Sequence, residues 1–207
     1  MSKNVLIFDF DGTIADTFHS LWQIGNRLAV EFEYKQMRKD DLESLKEKSL
    51  REAIKILEVP FLKIPKILSR ARAELNKEIS SIQPIKDLDS VLRQLKSNNQ
   101  AMGILSTNSK KNIHQFLKNH NLEVFDFVST SSKIFGKNRS LRRIIRKRNL
   151  ESENIIYVAD EARDIVAAKK ANVKVAAVTW GFNSKKILEK HQPDYLLKTP
   201  RDLLNLQ

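Results

Sequence analysis

Asp9-Phe10-Asp11-Gly12-Thr13 follows directly on the apolar run Val5-Leu6-Ile7-Phe8. Side chains alternate along an extended chain, so Asp9 and Asp11 point to one side and Phe10 to the other. Two like charges held this close are costly unless a cation sits between them or one takes a proton. Further polar groups follow other apolar runs. Ser106-Thr107-Asn108-Ser109 comes after Gly103-Ile104-Leu105. Such a turn offers a hydroxyl and helix N-terminal N–H groups to an anion, although the same residue types also serve as plain N-caps. Gly136-Lys137 opens a helical pattern, and a cation in a first turn opposes the helix dipole unless an anion lies nearby. Asp160-Glu161-Ala162-Arg163-Asp164 ends the run Ile155–Val158 with Ala159 between. With a helix starting near Glu161, Asp164 lies one turn beyond Asp160 and faces the same site. Paired carboxylates here suit a hard cation such as Mg2+; acids at a helix N-terminus are also favourable without one.

The elements that must position these groups are read from apolar patterning. Buried strands are predicted at Val5–Phe8, Met102–Leu105, Val124–Val128, Ile155–Val158 and Val173–Val178, with a weaker one at Tyr195–Leu197. Helices are predicted at Ile85–Lys96, Lys110–Asn119, Lys137–Arg148, Ala162–Ala171 and Lys185–Lys190. Alternation at this spacing argues for an α/β fold, a three-layer, Rossmann-like parallel-sheet core with helices on both faces. In such sheets ligands bind outside the carboxyl ends of the strands, which is where the polar groups fall.

Residues 16–81 behave differently. They hold no convincing strand, and amphipathic helices are predicted at Ser20–Phe32, Asp40–Lys46, Ser49–Leu57 and Ile64–Ile79. Ser49 with Glu52 fits a capping box. The expected organisation is a core of residues 1–15 and 82–207 interrupted by an all-helical insertion, 16–81. An insertion emerging beside a reactive carboxylate can close over it as a lid.

Composition bounds the function. The chain of 207 residues is 41% hydrophobic and 30% charged, as a globular protein is. With no cysteine, disulfides and thiolate metal sites are excluded. The first apolar run is four residues long and ends in acids, unlike a signal h-region, and no stretch reaches transmembrane length. A cytoplasmic protein without membrane association is expected, as a monomer or weak homodimer. The net charge of +12 can attract phosphorylated metabolites or nucleic acid. Its densest cluster, Arg142, Arg143, Arg146, Lys147 and Arg148, lies on a helix whose buried stripe is Leu141, Ile144 and Ile145, and reads first as a solvated face. The histidines show no ligand spacing. Trp180-Gly181-Phe182 reads as a packing turn, with a place at the border of the pocket as the alternative.

Taken together, in this order at strand ends, the groups resemble the haloacid dehalogenase superfamily, in its phosphatase branch with a helical cap inserted after the first strand, nearest to phosphoglycolate phosphatase-like hydrolases. Asp9-Phe10-Asp11-Gly12-Thr13 resembles the first motif, Leu105-Ser106-Thr107-Asn108 the second, Lys137 the third and Asp160 through Asp164 the fourth. The resemblance implies a Mg2+-dependent phosphatase of a small phosphate ester working through an aspartyl-phosphate. Asp9 would be the nucleophile and Asp11 the acid and then base. Thr107, Asn108 and Lys137 would hold the phosphoryl group, and Arg51, in the cap's specificity loop, would meet the substrate. Asp9, Asp160, Asp164 and the Asp11 backbone carbonyl would serve the metal. An acid at position 11 favours ester hydrolysis, because a halide leaving group needs no proton. The alternatives are a phosphatase of nucleotides or nucleic-acid ends and a non-catalytic binding protein on the same fold. Departures are Ala159 in place of a usual glycine, Asn138 in place of a frequent proline, and no glycine in the loop Glu47–Arg51.

Overall fold

Alternation within the strands decides where the core lies. The computed structural model describes residues 4–131 and 135–206; the outer ends of the expected core, residues 1–3 and 207, fall outside them. Strands β1 (Val5–Phe8), β2 (Met102–Ser106), β3 (Phe127–Thr130), β4 (Ile155–Ala159), β5 (Lys174–Val178) and β6 (Tyr195–Leu197) form one sheet. Their order is β3-β2-β1-β4-β5-β6, and every neighbouring pair is parallel. Leu6, Phe8, Ile104, Ile156, Val158, Ala176 and Val178 pack on one face. Ile7, Leu105, Ile155, Tyr157, Val175 and Ala177 pack on the other. Both faces are buried, so the strands read as continuous apolar runs rather than as alternating ones.

Helices α1 (Phe18–Phe32), α2 (Leu42–Lys46), α3 (Leu50–Ile56) and α4 (Ile64–Glu78) follow β1 without an intervening strand. The later helices, α5 (Leu88–Ser97), α6 (Lys110–Asn119), α7 (Lys137–Arg148), α8 (Ala162–Lys170) and α9 (Lys185–Lys190), alternate with the strands. Stripes on α5 (Leu88, Val91, Leu92, Leu95) and α6 (Ile113, Phe116, Leu117) cover the first face. Leu141 and Ile144 of α7, Ile165 and Ala168 of α8 and Leu188 of α9 cover the second. This is the predicted three-layer α/β fold. Among the described residues no helix is long and apolar enough to cross a membrane.

Some element boundaries differ from expectation, each for a local reason. The third strand begins at Phe127, not Val124. Val124 and Phe125 instead pack against the core from a loop, because Asp126 bonds the strand edge: its carboxylate accepts from the Met102 N–H at 2.9 Å and its N–H donates to the Met102 carbonyl at 2.8 Å. The Phe127 ring then lies across Gly103, where a Cβ would fall 2.1 Å from it. Helix α5 begins at Leu88, not Ile85, since Asp87 takes φ 65° and the Ile85 N–H is already bonded to the Ile14 carbonyl at 2.9 Å. Lys39–Asp41 forms a 3-10 turn before α2. The Ser49–Glu52 capping box forms as predicted and starts α3.

Candidate active site

The strand order reverses direction of winding between β1 and β4, and crevices in parallel sheets open at such a switch point. Asp9 stands one residue past β1, its N–H donating to the Val158 carbonyl of β4 at 2.8 Å. The Phe10 carbonyl then accepts from the N–H groups of Ile14 and Ala15 at 2.9 and 3.0 Å, closing a tight turn in which Gly12 takes φ +72°. Phe10 is buried on the opposite side, edge-on to Phe116 at 5.1 Å. Asp9 and Asp11 both line a cavity of about 190 Å³, with Thr107 and Asn108 from the end of β2.

Beneath that cavity lie the buried acids. Carboxylate oxygens of Asp9, Asp160 and Asp164 all fall within 4.8 Å of one another. Lys137, 2% exposed, ion-pairs Asp9 and lies 3.0 Å from Asp164 Oδ1. The anion that justifies a lysine in the first turn of α7 is therefore this pair. Burial pulls the Lys137 ammonium down, but Asp164 and Asp9 more than reverse it, so its pKa is raised. Asp160 accepts from Thr13 Oγ1 at 2.8 Å and from the Phe182 N–H at 2.7 Å. Its carboxylate sits against Gly12 and Gly181, where a Cβ would come within 2.4 and 2.2 Å of Oδ2. Burial, and then neighbouring acids, raise the pKa of Asp160 well above the usual range. Burial also raises Asp164, with Lys137 opposing.

Asp9, Asp160 and Asp164 fit a hard divalent cation. Both Asp164 oxygens are buried with no hydrogen-bond donor of good geometry, the Lys137 contact being an ion pair only. Lys137 and Arg163, the latter shared with Glu161, leave the three clustered carboxylates in excess, and all-oxygen donors are those Mg2+ takes. Asp11 is set apart from this cluster. Asn108 Nδ2 donates to its Oδ1 and Oδ2 at 3.0 and 3.1 Å. Burial first and the Asp9 charge second push its carboxyl up to about 7. The two acids of the opening motif thus sit in different environments, the kind of arrangement that pushes the pKa values of paired carboxyls apart.

The structure brings Asp9, Asp11, Thr107, Asn108, Lys137, Asp160 and Asp164 to one end of the sheet. Arg51 does not line the small cavity. It lines a larger recess of about 550 Å³ with Lys137 and Asp164, its guanidinium 5.1 Å from the Phe135 ring. Ala159 is not among the described residues with positive φ, so its methyl fits where a glycine is usual. Phe182 does border the cavity, and Trp180 Nε1 donates to the Thr13 carbonyl at 3.2 Å. His19 is exposed and bonded to Gln23, and it lines neither cavity.

Sequence reasoning missed several participants. Arg72 of α4 and Arg163 of α8 line the small cavity. Buried Asn112 donates from Nδ2 to Asn108 Oδ1 at 2.9 Å; its position four residues after Asn108 was the signal available. Asn183 accepts from the Ala162 N–H at 2.8 Å and donates to the Lys46 and Lys48 carbonyls at 3.1 and 3.2 Å. It joins the start of α8 to the loop before α3.

Known proteins agree with this arrangement. Residues 6–178 match the family described as haloacid dehalogenase-like hydrolase. The chain belongs to the haloacid dehalogenase-like hydrolases. It is 34% identical over 200 residues to a phosphoglycolate phosphatase from Synechococcus elongatus, covering 96% of this chain and 94% of that one. A pyrophosphatase PpaX from Bacillus thuringiensis is 23% identical, covering 99% and 96%. A haloacid dehalogenase-like family hydrolase from Streptococcus pneumoniae shares the fold with TM-score 0.80 at 20% identity, covering 98% and 97%. A structure described as a predicted phosphatase from Clostridium acetobutylicum superposes with TM-score 0.83 at 19% identity over the whole of both chains. The expectation of a haloacid dehalogenase-type phosphatase is met.

Proposed function

We propose that this haloacid dehalogenase-like phosphatase hydrolyses a short phosphomonoester of the phosphoglycolate type, with Mg2+, through an aspartyl-phosphate on Asp9. One observation carries the reading: Asp9 and Asp11 line the same small cavity, while Lys137 holds Asp9 from behind. The likeness to a phosphoglycolate phosphatase along 96% of the chain supports the substrate class.

An Asp9 oxygen attacks phosphorus, and the bond from phosphorus to the ester oxygen breaks. Asp11, protonated at neutral pH more than an ordinary carboxyl, gives its proton to the departing alkoxide. Asp11, now ionised, takes a proton from a water that attacks the phosphoryl group, and the bond to Asp9 breaks to release phosphate. Asn108 holds Asp11 in place for both transfers. Thr107 and Lys137 bind the phosphoryl oxygens, whose charge must be offset throughout. Asp9, Asp160 and Asp164 hold Mg2+, which when bound offsets the negative charge shared by nucleophile and phosphoryl group.

The division into a core, 1–15 and 82–207, and a helical lid, 16–81, is part of the reading. It is supported by a narrow neck: the Asp16 N–H donates to the Gln83 carbonyl and the Ile85 N–H to the Ile14 carbonyl, both at 2.9 Å. The strands leaving and re-entering the core thus lie side by side, as a hinge requires.

The test is a screen of phosphorylated metabolites with Mg2+, with Asp9→Asn as control. Hydrolysis of a short carboxylate-bearing ester, lost in Asp9→Asn and on chelation, is expected. No Mg2+-stimulated hydrolysis of any ester, or an Asp9→Asn variant equal to the parent, would sink the reading. A second reading, cleavage of pyrophosphate, draws on the PpaX relatives and on Arg51, Arg139 and Lys170 around the larger recess. Faster turnover of pyrophosphate than of any monoester would favour it.

A further inference from the structure

We propose that Arg72 selects the leaving group, by pairing with a carboxylate on the short organic part of the phosphate ester. The inference rests on the phosphatase reading of the same cavity. On the floor of that cavity stand Asp9, Asp11 and Thr107; α4 supplies the facing wall with Leu68, Ala71, Arg72 and Leu75. At about 190 Å³ the space falls below the roughly 300–1,000 Å³ of sites for drug-sized ligands. A phosphoryl group seated at Asp9 therefore leaves room for only a few atoms before the substrate meets α4. Two other cations near the site belong to core helices, Lys137 to α7 and Arg163 to α8. Lys137 lies between Asp9 and Asp164, and Arg163 pairs with Glu161 at the start of its own helix. Arg72 is the cation that α4 brings to the wall, at the end where the leaving group must lie.

Its position is fixed relative to the proton-transfer residue. Asn112 Nδ2 donates both to the Arg72 carbonyl at 3.0 Å and to Asn108 Oδ1 at 2.9 Å. Asn76 Nδ2, one turn further along α4, donates to Asn112 Oδ1 at 2.8 Å. Asn108 in turn holds Asp11. The turn of α4 that carries Arg72 is thus registered to Asp11 through buried amides. A guanidinium grips a carboxylate through parallel hydrogen bonds, and among leucines that pairing is stronger than in open water. Burial lowers the pKa of Arg72 and the nearby Asp11 charge raises it, so a second anion at the wall favours its charged form.

The experiment compares 2-phosphoglycolate with ethyl phosphate, a neutral leaving group of similar length, in the parent, Arg72→Gln and Arg72→Lys, all with Mg2+. The parent prefers the carboxylate ester. In Arg72→Gln that ester loses about 10–100-fold in kcat/KM, mostly through KM, as expected for a hydrogen-bonded charge pair. Its loss exceeds that of ethyl phosphate at least tenfold, and Arg72→Lys recovers part of it. Equal losses on both esters would assign Arg72 a packing role and overturn the inference. Persistence of the carboxylate preference in Arg72→Gln would overturn it too. A parent that cleaves both esters alike, or neither while hydrolysing another phosphate ester, refutes the inference but leaves the phosphatase reading standing; a parent that hydrolyses no phosphate ester refutes both. Calorimetric titration of 2-phosphoglycolate into Asp9→Asn, with and without Arg72→Gln, reads the pairing without turnover, and equal affinities would overturn it.

Discussion

At the scale of residues, the pair Asp9 and Asp11 gains its chemistry from unequal surroundings. Lys137 stands against Asp9, whereas Asp11 is half-buried with an amide donor and its carboxyl is pushed up to about 7. Asp11→Asn should therefore impair proton transfer and spare attack by Asp9. With an aryl phosphate, whose leaving group needs little protonation, this variant should release about one equivalent of phenolate in a burst and then turn over about 10²–10⁴-fold more slowly than the parent. Stopped-flow absorbance checks this, and a slow release without a burst would contradict it. Lys137→Ala removes the charge facing both Asp9 and Asp164 and should cost about 10²–10³-fold in kcat, read in steady-state hydrolysis. Mg2+ should raise the Tm of the parent, since a ligand bound by the native state alone stabilises it. Asp160→Asn should abolish most of that rise; an unchanged rise would place the metal elsewhere.

At the scale of elements, the strands and core helices were legible because a parallel sheet buried on both faces must be made of continuous apolar runs. What misled the reading was local competition for backbone groups. Asp126 drew Val124 and Phe125 out of β3, and the Ile14 carbonyl claimed the Ile85 N–H before α5 could begin. Side chains that tie elements together carry testable weight. Asn112→Ala leaves Asn108, Asn76 and the Arg72 carbonyl each short of a partner inside the protein. It should destabilise by about 1–3 kcal/mol, or about 2–4 °C in Tm per kcal/mol, by thermal denaturation. The C-terminal 3-10 turn, Pro200–Asn205, is held by a capping box between Thr199 and Asp202. The Thr199 N–H bonded to Asp202 is the largest cause holding its carboxyl below the usual range. A folded value below the unfolded one means stability that is full above the unfolded pKa and lost as pH falls through the folded one. Asp202→Ala should thus lower Tm at neutral pH by about 2–4 °C, and the gap should narrow near pH ~3. An equal gap at both pH values would contradict the assignment.

At the scale of the whole molecule, the densest basic cluster of a chain with net charge +12 lies on one helix. Arg142, Arg143, Arg146, Lys147 and Arg148 lie on α7, whose buried side is Leu141 and Ile144; Arg148 stacks over the Phe127 ring at 3.9 Å. Turnover of a small ester should change little between about 50 and 200 mM salt, whereas binding that neutralises several phosphates falls steeply over that range. A steep fall would revive the nucleic-acid alternative. The polar groups that follow strands were legible in the sequence as one set, because a parallel sheet delivers all its carboxyl ends to one edge; Arg51, on α3, follows no strand. For Asp9, Asp11, Thr107, Lys137 and the Asp160–Asp164 pair that rule and their order gave the shared edge, and the family resemblance gave the expected roles. The site's opposite wall was not legible in this way. Arg70 and Arg72 stand two residues apart on the same helix, yet Arg70 pairs with Glu31 and Arg72 lines the cavity. Which of them lines the cavity depends on how α4 is rotated and where Asn112 and Asn183 fasten the helical unit to the core. Those contacts join residues tens of positions apart, and only the folded chain brings them together.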